Sequence, residues 1–315
     1  MLRQVLITGG AGFIGSSLVD YLNSHSPDWE IHVLDDLSTG LRSNLDGLRC
    51  NLVVGSILDS KLLSEITDGV DHIVHLAAIG SVPRSISAPR ATHEANVTGT
   101  LNVLEAAREH SVNHVIVASS SSVYGSNPNL PRSEFDWTRP LSPYAVSKQA
   151  TEAYANAYAS SYGMKTVAFR FFNVYGPRQR PDHPYAAVIP RFISAAMSDI
   201  PLTIHGEGTQ TRDFTFVESV CEVIHRTLVQ SLQFEHPMNL AFGSRYSVLD
   251  LVTVLERLIG KELPLVHTDD RPGDVRASQA DTALLQAGFP GVTSYDLEIG
   301  LQRTIEWFER DLEEG

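Results

Sequence analysis

Cysteine is nearly absent from this chain: Cys50 and Cys221 are the only two, and they stand far apart. Neither a disulfide framework nor a thiolate metal site is therefore expected, and reduced thiols are. The twelve histidines are scattered, and no metal is expected. Positive charge is also scarce. Lys and Arg number 24 against 37 Asp and Glu, a formal net charge of −13. That balance argues against nucleic acid or an anionic membrane as partner, both of which need basic surface. An anionic small substrate stays open, because a local arginine cluster overrides the global sign. No apolar run approaches membrane-spanning length. Met1 leads almost directly into an apolar β-run, leaving no room for a charged-then-apolar leader, so a soluble cytoplasmic protein is expected. Repeats, low-complexity segments and disordered linkers are lacking too.

What is present is the balance of a globular protein, 43% hydrophobic and 19% charged, long enough for a large core. Val5-Leu6-Ile7-Thr8 is a short apolar β-run, followed at once by Gly9-Gly10-Ala11-Gly12-Phe13-Ile14-Gly15 and an amphipathic helix through about Asn23. Glycines at 9, 12 and 15 permit a tight turn and let backbone N–H groups approach a pyrophosphate at the helix N-terminus. A glycine triplet alone is a weak signal; its place between strand and helix strengthens it. The next β-run, Ile31 to Leu34, ends in Asp35, twenty residues beyond Gly15. A carboxylate there accepts hydrogen bonds from a ribose 2′-hydroxyl and repels a 2′-phosphate, favouring NAD over NADP.

Further strands are predicted over 52–54, 71–76, 112–118 and 165–171, with helices near 60–68, 91–110 and 144–162. Such alternation implies an α/β fold with a doubly wound parallel sheet. Beyond residue 172, Pro177, Pro181, Pro184, Pro190 and Pro201 break the chain into loops and short helices. Residues 238–241 read as one more strand of the main sheet, and helices are predicted near 217–230, 247–259 and 295–312. The expected division is a dinucleotide-binding domain over 1–172, to which 213–245 returns. A smaller, interleaved α/β domain over 173–315 then takes the substrate.

One stretch organises the rest. Ser142-Pro143-Tyr144-Ala145-Val146-Ser147-Lys148 starts a helix with proline in its first turn, and Tyr144 and Lys148 share one face at i and i+4. Ionising a phenol of pKa about 10 near pH 7 must recover roughly 4 kcal/mol. One positive charge about 5 Å away supplies on the order of 3 kcal/mol at an effective dielectric of 20. Lysine alone falls short; lysine with a second cation such as an oxidised nicotinamide suffices. The pair makes sense as a base beside NAD+, although such spacing is also that of an ordinary helix face. Ser119-Ser120-Ser121-Ser122 at the end of the fifth strand offers a hydroxyl for the substrate oxygen whose proton Tyr144 removes.

Glycine loop, Asp35, serine row, Tyr144-x-x-x-Lys148 and Asn173-Val174-Tyr175-Gly176-Pro177 together resemble the extended short-chain dehydrogenase/reductase family, and within it the nucleotide-sugar epimerases. The resemblance spans about residues 3 to 310 and implies a Rossmann sheet. It implies Tyr144, Lys148 and Ser120 as catalytic residues, with Ser122 also facing the hexose. It implies NAD contacts at Phe13, Ile14, Asp35, Asp36, Ser38, Thr39, Gly40, Ser56, Ile57, Leu76, Ala77, Ala78, Asn96, Tyr144, Lys148 and Phe172. On the sugar-nucleotide side it points to Asn173, Ala187, Val188, Thr203, Arg212, Arg271 and Asp274. A diphosphate needs charge-assisted donors, which arginine supplies in fork geometry. The family is commonly homodimeric through the helices near 91–110 and 144–162.

Related dehydratases carry Asp-Glu where Ser121 and Ser122 stand, and decarboxylases a glutamate at the second position. With serine at both, only oxidation at C4 and its reversal remain, which is epimerisation. Asparagine at 173, where uronate enzymes tend to have threonine, favours a neutral hexose or hexosamine. Gly80 to Ser85 and Arg178 to Pro181, with Tyr185 to Pro190, resemble UDP-N-acetylglucosamine 4-epimerases and add Gly80, Ser81 and Gln179 to the expected contacts. Gly80 departs from some glucose/galactose enzymes, which carry a lysine there near the cofactor. Ser278 stands where glucose-restricted relatives carry tyrosine, and a small residue leaves room for an N-acetyl group. The expectation is an NAD-dependent UDP-sugar 4-epimerase; a UDP-glucuronate 4-epimerase and a non-catalytic NAD-binding regulator are the alternatives.

Overall fold

A computed structural model describes residues 3–112, 114–182, 186–269 and 275–314. In chain order its strands are β1 (Gln4–Thr8), β2 (Glu30–Asp35), β3 (Asn51–Val54), β4 (His72–His75), β5 (His114–Ser120), β6 (Lys165–Phe171), β7 (Val174–Tyr175), β8 (Leu202–His205), β9 (Thr211–Arg212), β10 (Thr215–Phe216), β11 (Met238–Leu240), β12 (Tyr246–Ser247) and β13 (Leu265–Thr268). The helices are α1 (Phe13–His25), α2 (Ser60–Thr67), α3 (Val82–Ser87), α4 (Pro89–His93), α5 (Gly99–Glu109), α6 (Pro143–Tyr162), α7 (Val188–Met197), α8 (Val217–Gln230), α9 (Val248–Ile259), α10 (Ala283–Gly288) and α11 (Leu297–Glu314). Among the described residues no helix is long and apolar enough to cross a membrane.

Seven strands form one parallel sheet in the order β11-β6-β5-β4-β1-β2-β3. Both faces are covered, which is why its central strands are apolar without alternation. One face packs α1 and α8 through Leu18, Leu22, Val220 and Ile224; the other packs α2, α5 and α6 through Leu63, Leu104 and Ala155. The chain leaves β1 outward through β2 and β3, then crosses to β4 on the other side. A crevice therefore opens between the carboxyl ends of β1 and β4. A separate apolar cluster joins α7, α9 and α11 with β8 and β10. As expected, β11 returns to the main sheet.

Two predicted boundaries change. The single helix expected over 91–110 is α4, a π-turn at Glu94–Thr98 and then α5. Asn96 sits in that turn, where Ile79 N–H donates to its Oδ1 at 2.7 Å and its Nδ2 donates to Ile79 O and Ser147 Oγ. Pro190, read as a break, lies in the first turn of α7. First-turn N–H groups have no intrahelical partner, so proline forfeits nothing there.

The amino ends of the central strands bury two imidazoles in contact. His114 Nε2 lies 2.9 Å from Leu232 O and must donate, so its Nδ1 accepts from His72 Nδ1–H at 3.1 Å. A proton added to His114 Nδ1 would set two N–H groups against each other. Burial pulls His72 down and His114 down to about 4, and burial pulls His75 down to about 3. Because these folded-state values lie below the unfolded 6.5, stability is full above pH 6.5 and is lost as pH falls toward the folded values. His75 and His114 each cost about 2 kcal/mol at pH 5. The melting temperature should fall between pH 7.5 and 5, and His72→Phe, which keeps the stacking on Trp29, should flatten that fall. Equal slopes in both proteins would remove the pair as the cause.

Candidate active site

The expected dinucleotide residues follow the carboxyl ends of parallel strands and so share one edge of the sheet. Gly9 has φ +72°, and a Cβ there would lie 2.6 Å from Ala77 N. A Cβ on Gly15 would lie 2.3 Å from Gly9 O. Both positions need glycine so that α1 and the end of β4 can close on the loop. Gly12 caps α1 without a side-chain acceptor, which leaves the positive end of the helix, at Phe13 and Ile14, to the loop. Asp35 is buried at the end of β2, its Oδ2 accepting Ala11 N–H and its Oδ1 Leu37 N–H, both at 2.9 Å. Burial pushes this carboxyl up and those bonds pull it partly back. The sequence suggested a ribose acceptor; the structure shows a carboxylate that also braces the glycine loop. Asp36 Oδ1 accepts from Ser38 N–H and Oγ–H, with Ser38 and Thr39 exposed and Gly40 tight against Ala11. Ser56 and Ile57 follow β3, Leu76 to Ala78 follow β4, and Phe172, fully buried, follows β6. A cradle of glycines with an acid and no cation at the end of β2 fits NAD.

Helix α6 begins as its sequence dictates. Ser142 caps it by accepting from Ala145 N–H, Pro143 occupies the first turn, and Gly163 ends it at φ +68°. Tyr144 and Lys148 share its inward face. Lys148 is buried, donates from Nζ to Ala118 O at 2.9 Å, and is pulled down to about 8 by burial. The Tyr144 phenol is pushed up by burial and drawn partly back by a hydrogen bond with Ser120. The ammonium anticipated against the tyrosine ring is thus tied to β5. Ser119 and Ser120 alternate across the strand: Ser119 Oγ donates to Glu152 Oε1 at 2.5 Å on the buried side, and Ser120 meets Tyr144. Ser121 begins a 3-10 turn, and Ser122 Oγ is buried with no hydrogen-bond partner among the described residues. His75, neutral between Thr8 and Thr100, links the glycine loop to the turn holding Asn96.

A cavity of about 250 Å³ opens on the C-terminal side, lined by Asn173, Ala187, Val188, Thr203 and Arg212 as expected. It is also lined by Arg191, His205 and Gln210, which the sequence reading missed. The lone charge in the otherwise apolar first turns of α7 was the available signal for Arg191. Among the described residues the lining holds two arginines, one histidine and no carboxylate. Gly80, Ser81, Gln179 and Ser278 lie outside this lining. Gly80 is exposed with open space around it, and Ser81 caps α3. Gln179 Nε2 donates to Val174 O while its Oε1 is buried without a partner among the described residues. Ser278 is buried, its N–H bonded to Thr211 O. Arg271 and Asp274 lie outside the described residues. Among the described residues no cluster of three or more His, Cys, Asp or Glu is placed to hold a metal ion.

Residues 5–241 match the profile of the NAD dependent epimerase/dehydratase family. The UDP-glucose 4-epimerase of Mycolicibacterium smegmatis is 35% identical over 312 residues, covering 97% of this chain and 98% of that protein. The UDP-glucuronate 4-epimerase of Thermodesulfobacterium geofontis is 31% identical over 320 residues, covering 98% and 97%. Among solved structures, the UDP-N-acetylglucosamine 4-epimerase of Methanobrevibacter ruminantium, in complex with UDP-N-acetylmuramic acid, superposes with a TM-score of 0.92 at 34% identity, covering 98% and 99%. Gly15→Ala tests the cradle. Overpacking costs about 1–3 kcal/mol, so NAD retained through gel filtration should fall about tenfold; undiminished retention would show that the loop does not carry the cofactor.

Proposed function

This chain belongs to the NAD dependent epimerase/dehydratase family, and on that premise we propose that it is a UDP-sugar 4-epimerase. The observation that carries the reading is Tyr144 and Lys148 on one face of α6 against the end of β5, where Lys148 Nζ donates to Ala118 O, with serines and no carboxylate in the rest of the row. One proton acceptor suits oxidation at C4 and its reversal; expelling water needs a second. NAD would be held by Gly9 to Gly15, Asp35, Asp36, Ser38 to Gly40, Ser56, Ile57, Leu76 to Ala78, Asn96 and Phe172, on residues 1–172 with 213–245. When bound it supplies the redox chemistry, one hydride leaving sugar C4 and returning to the opposite face. Tyr144 takes the 4-hydroxyl proton and later gives it back. Ser120 holds that oxygen against the phenol, and Lys148, one helical turn on, favours the phenolate. Between the two transfers the 4-keto sugar turns about its phosphate linkage while Arg212 holds the diphosphate. The arginine-bearing cavity on the 173–315 side, with no carboxylate among its described lining residues, supports an anionic nucleotide there.

The substrates we infer are UDP-N-acetylglucosamine and UDP-N-acetylgalactosamine, with UDP-glucose and UDP-galactose. Ser278 is small and buried. Asn173 sits at φ +34°, where asparagine is tolerated and a β-branched threonine is strained. We also infer a homodimer through α6, whose only charged residues, Lys148 and Glu152, are both buried while Val146, Ala153 and Ala157 are exposed. An outward face without charge calls for a second copy. Light scattering should give twice 34.5 kDa, and Ala153→Arg should return the monomer.

Incubation with UDP-glucose, UDP-N-acetylglucosamine and UDP-glucuronate, read by anomeric proton signals, decides the substrate. Turnover of glucuronate alone would favour the uronate reading, and bound NAD with no turnover the regulator. Tyr144→Phe should lower conversion by roughly 10²–10⁴-fold with NAD still bound; unchanged conversion would refute the base. Ser278→Tyr should lose the N-acetylated substrate and keep the hexose, and equal loss of both would place the gate elsewhere.

A further inference from the structure

Asp213 is fully buried between two cavity-lining residues, Arg212 and Phe214. Its carboxylate accepts four hydrogen bonds from two segments distant in sequence. Oδ1 receives Ser244 N–H at 3.1 Å and Ser244 Oγ–H at 3.0 Å; Oδ2 receives Gly243 N–H and Ala280 N–H, both at 3.0 Å. Its own carbonyl accepts Asn173 Nδ2–H at 3.0 Å. Ser244 Oγ in turn accepts Phe214 N–H at 3.0 Å. On the other side of Asp213, Arg212 and Thr211 pair antiparallel with β12, while Thr211 binds Arg276 O and Ser278 N–H. Four donors facing one side chain require acceptors on both of its ends, which only a carboxylate provides.

We propose that Asp213 is a positioning residue for nucleotide recognition: its carboxylate draws 243–244 and 280 around the strand end so that Arg212, Phe214 and Asn173 face one cavity. The inference rests on the reading of that cavity as the UDP site. Nothing about the hydride chemistry at Tyr144 depends on it, since Asp213 belongs to the other half of the crevice. Asp213→Asn is nearly isosteric but turns an N–H₂ toward two of the donors, opening the clamp while leaving the glycine loop untouched.

The test is calorimetric titration of the NAD-loaded protein with UDP, beside NAD retention through gel filtration. Asp213→Asn should weaken UDP binding at least tenfold with NAD retention unchanged. Unchanged UDP affinity would overturn the assignment, as would UDP and NAD losses of equal size, which mark general loosening. Should that variant not fold, Ser244→Ala decides, removing the Oγ–H bond to Asp213 and the acceptor of Phe214 N–H without stranding a charge. A several-fold loss of UDP affinity at constant NAD retention supports the clamp, and wild-type affinity overturns it. Failure of the unaltered protein to bind UDP would instead remove the cavity reading, and this inference with it.

Discussion

The ion pair between Glu152 and Arg170 is the constraint on which the reactive centre depends. Both side chains are about 5% exposed and joined by two parallel bonds, Nε to Oε1 at 2.8 Å and Nη2 to Oε2 at 2.9 Å. Glu152 stands two helical turns beyond Tyr144 on the same face of α6, Arg170 stands in β6, and Ser119 of β5 adds a third bond to the carboxylate. Arg170 also donates to Tyr124 OH, whose proton goes to Asn239 of β11. One buried pair thus binds the helix carrying Tyr144 and Lys148 to three adjacent strands. Buried pairs add little net stability over a well-packed apolar substitute, yet losing one partner costs about 3–5 kcal/mol. Their value here is orientation. Burial alone would pull Arg170 down, and Glu152 more than offsets it.

A second polar network sets the cofactor edge. Thr100 gives its proton to Asn96 O at 2.6 Å and therefore accepts from His75 Nε2–H, which leaves His75 Nδ1 to accept from Thr8. The chain of donors runs from the strand entering the glycine loop to the π-turn that holds Asn96. Its direction is fixed only while His75 is neutral, and the nearby Lys148 ammonium reinforces the burial that keeps it so.

Much of this was legible in the sequence because it is local. Apolar runs marked all seven main-sheet strands, and Pro143 marked the start of α6. The glycine spacing and Asp35 located the crevice. What was hidden depends on pairings between distant residues. Nothing in the sequence singles out Glu152 and Asp213; β6 brings Arg170 to the first, and Gly243, Ser244 and Ala280 come to the second from distant segments. Asn96 breaks its helix because Ile79 lies across from it, seventeen positions away in the chain. Helix α7 was lost to a rule about proline that holds for helix interiors and not for first turns, and Arg191 was lost with it.

The acidic composition and an anionic substrate are reconciled by distance. At physiological ionic strength surface charges are screened beyond about 8 Å, so a net charge of −13 is felt weakly inside a cleft with no carboxylate among its described lining residues. The arginines there act at short range and in lower dielectric, where each counts for more than a surface charge. Relatives at 31%, 35% and 34% identity carry names for three different sugars, which fits the same division. The sheet, α6 and their two buried networks fix the positions of Tyr144, Lys148 and the glycine loop, and so, on the proposed function, where the hydride and proton would leave. On the proposed function the sugar's substituents would be sensed by a few side chains of the other half, such as Asn173 and Ser278, which take no part in either network.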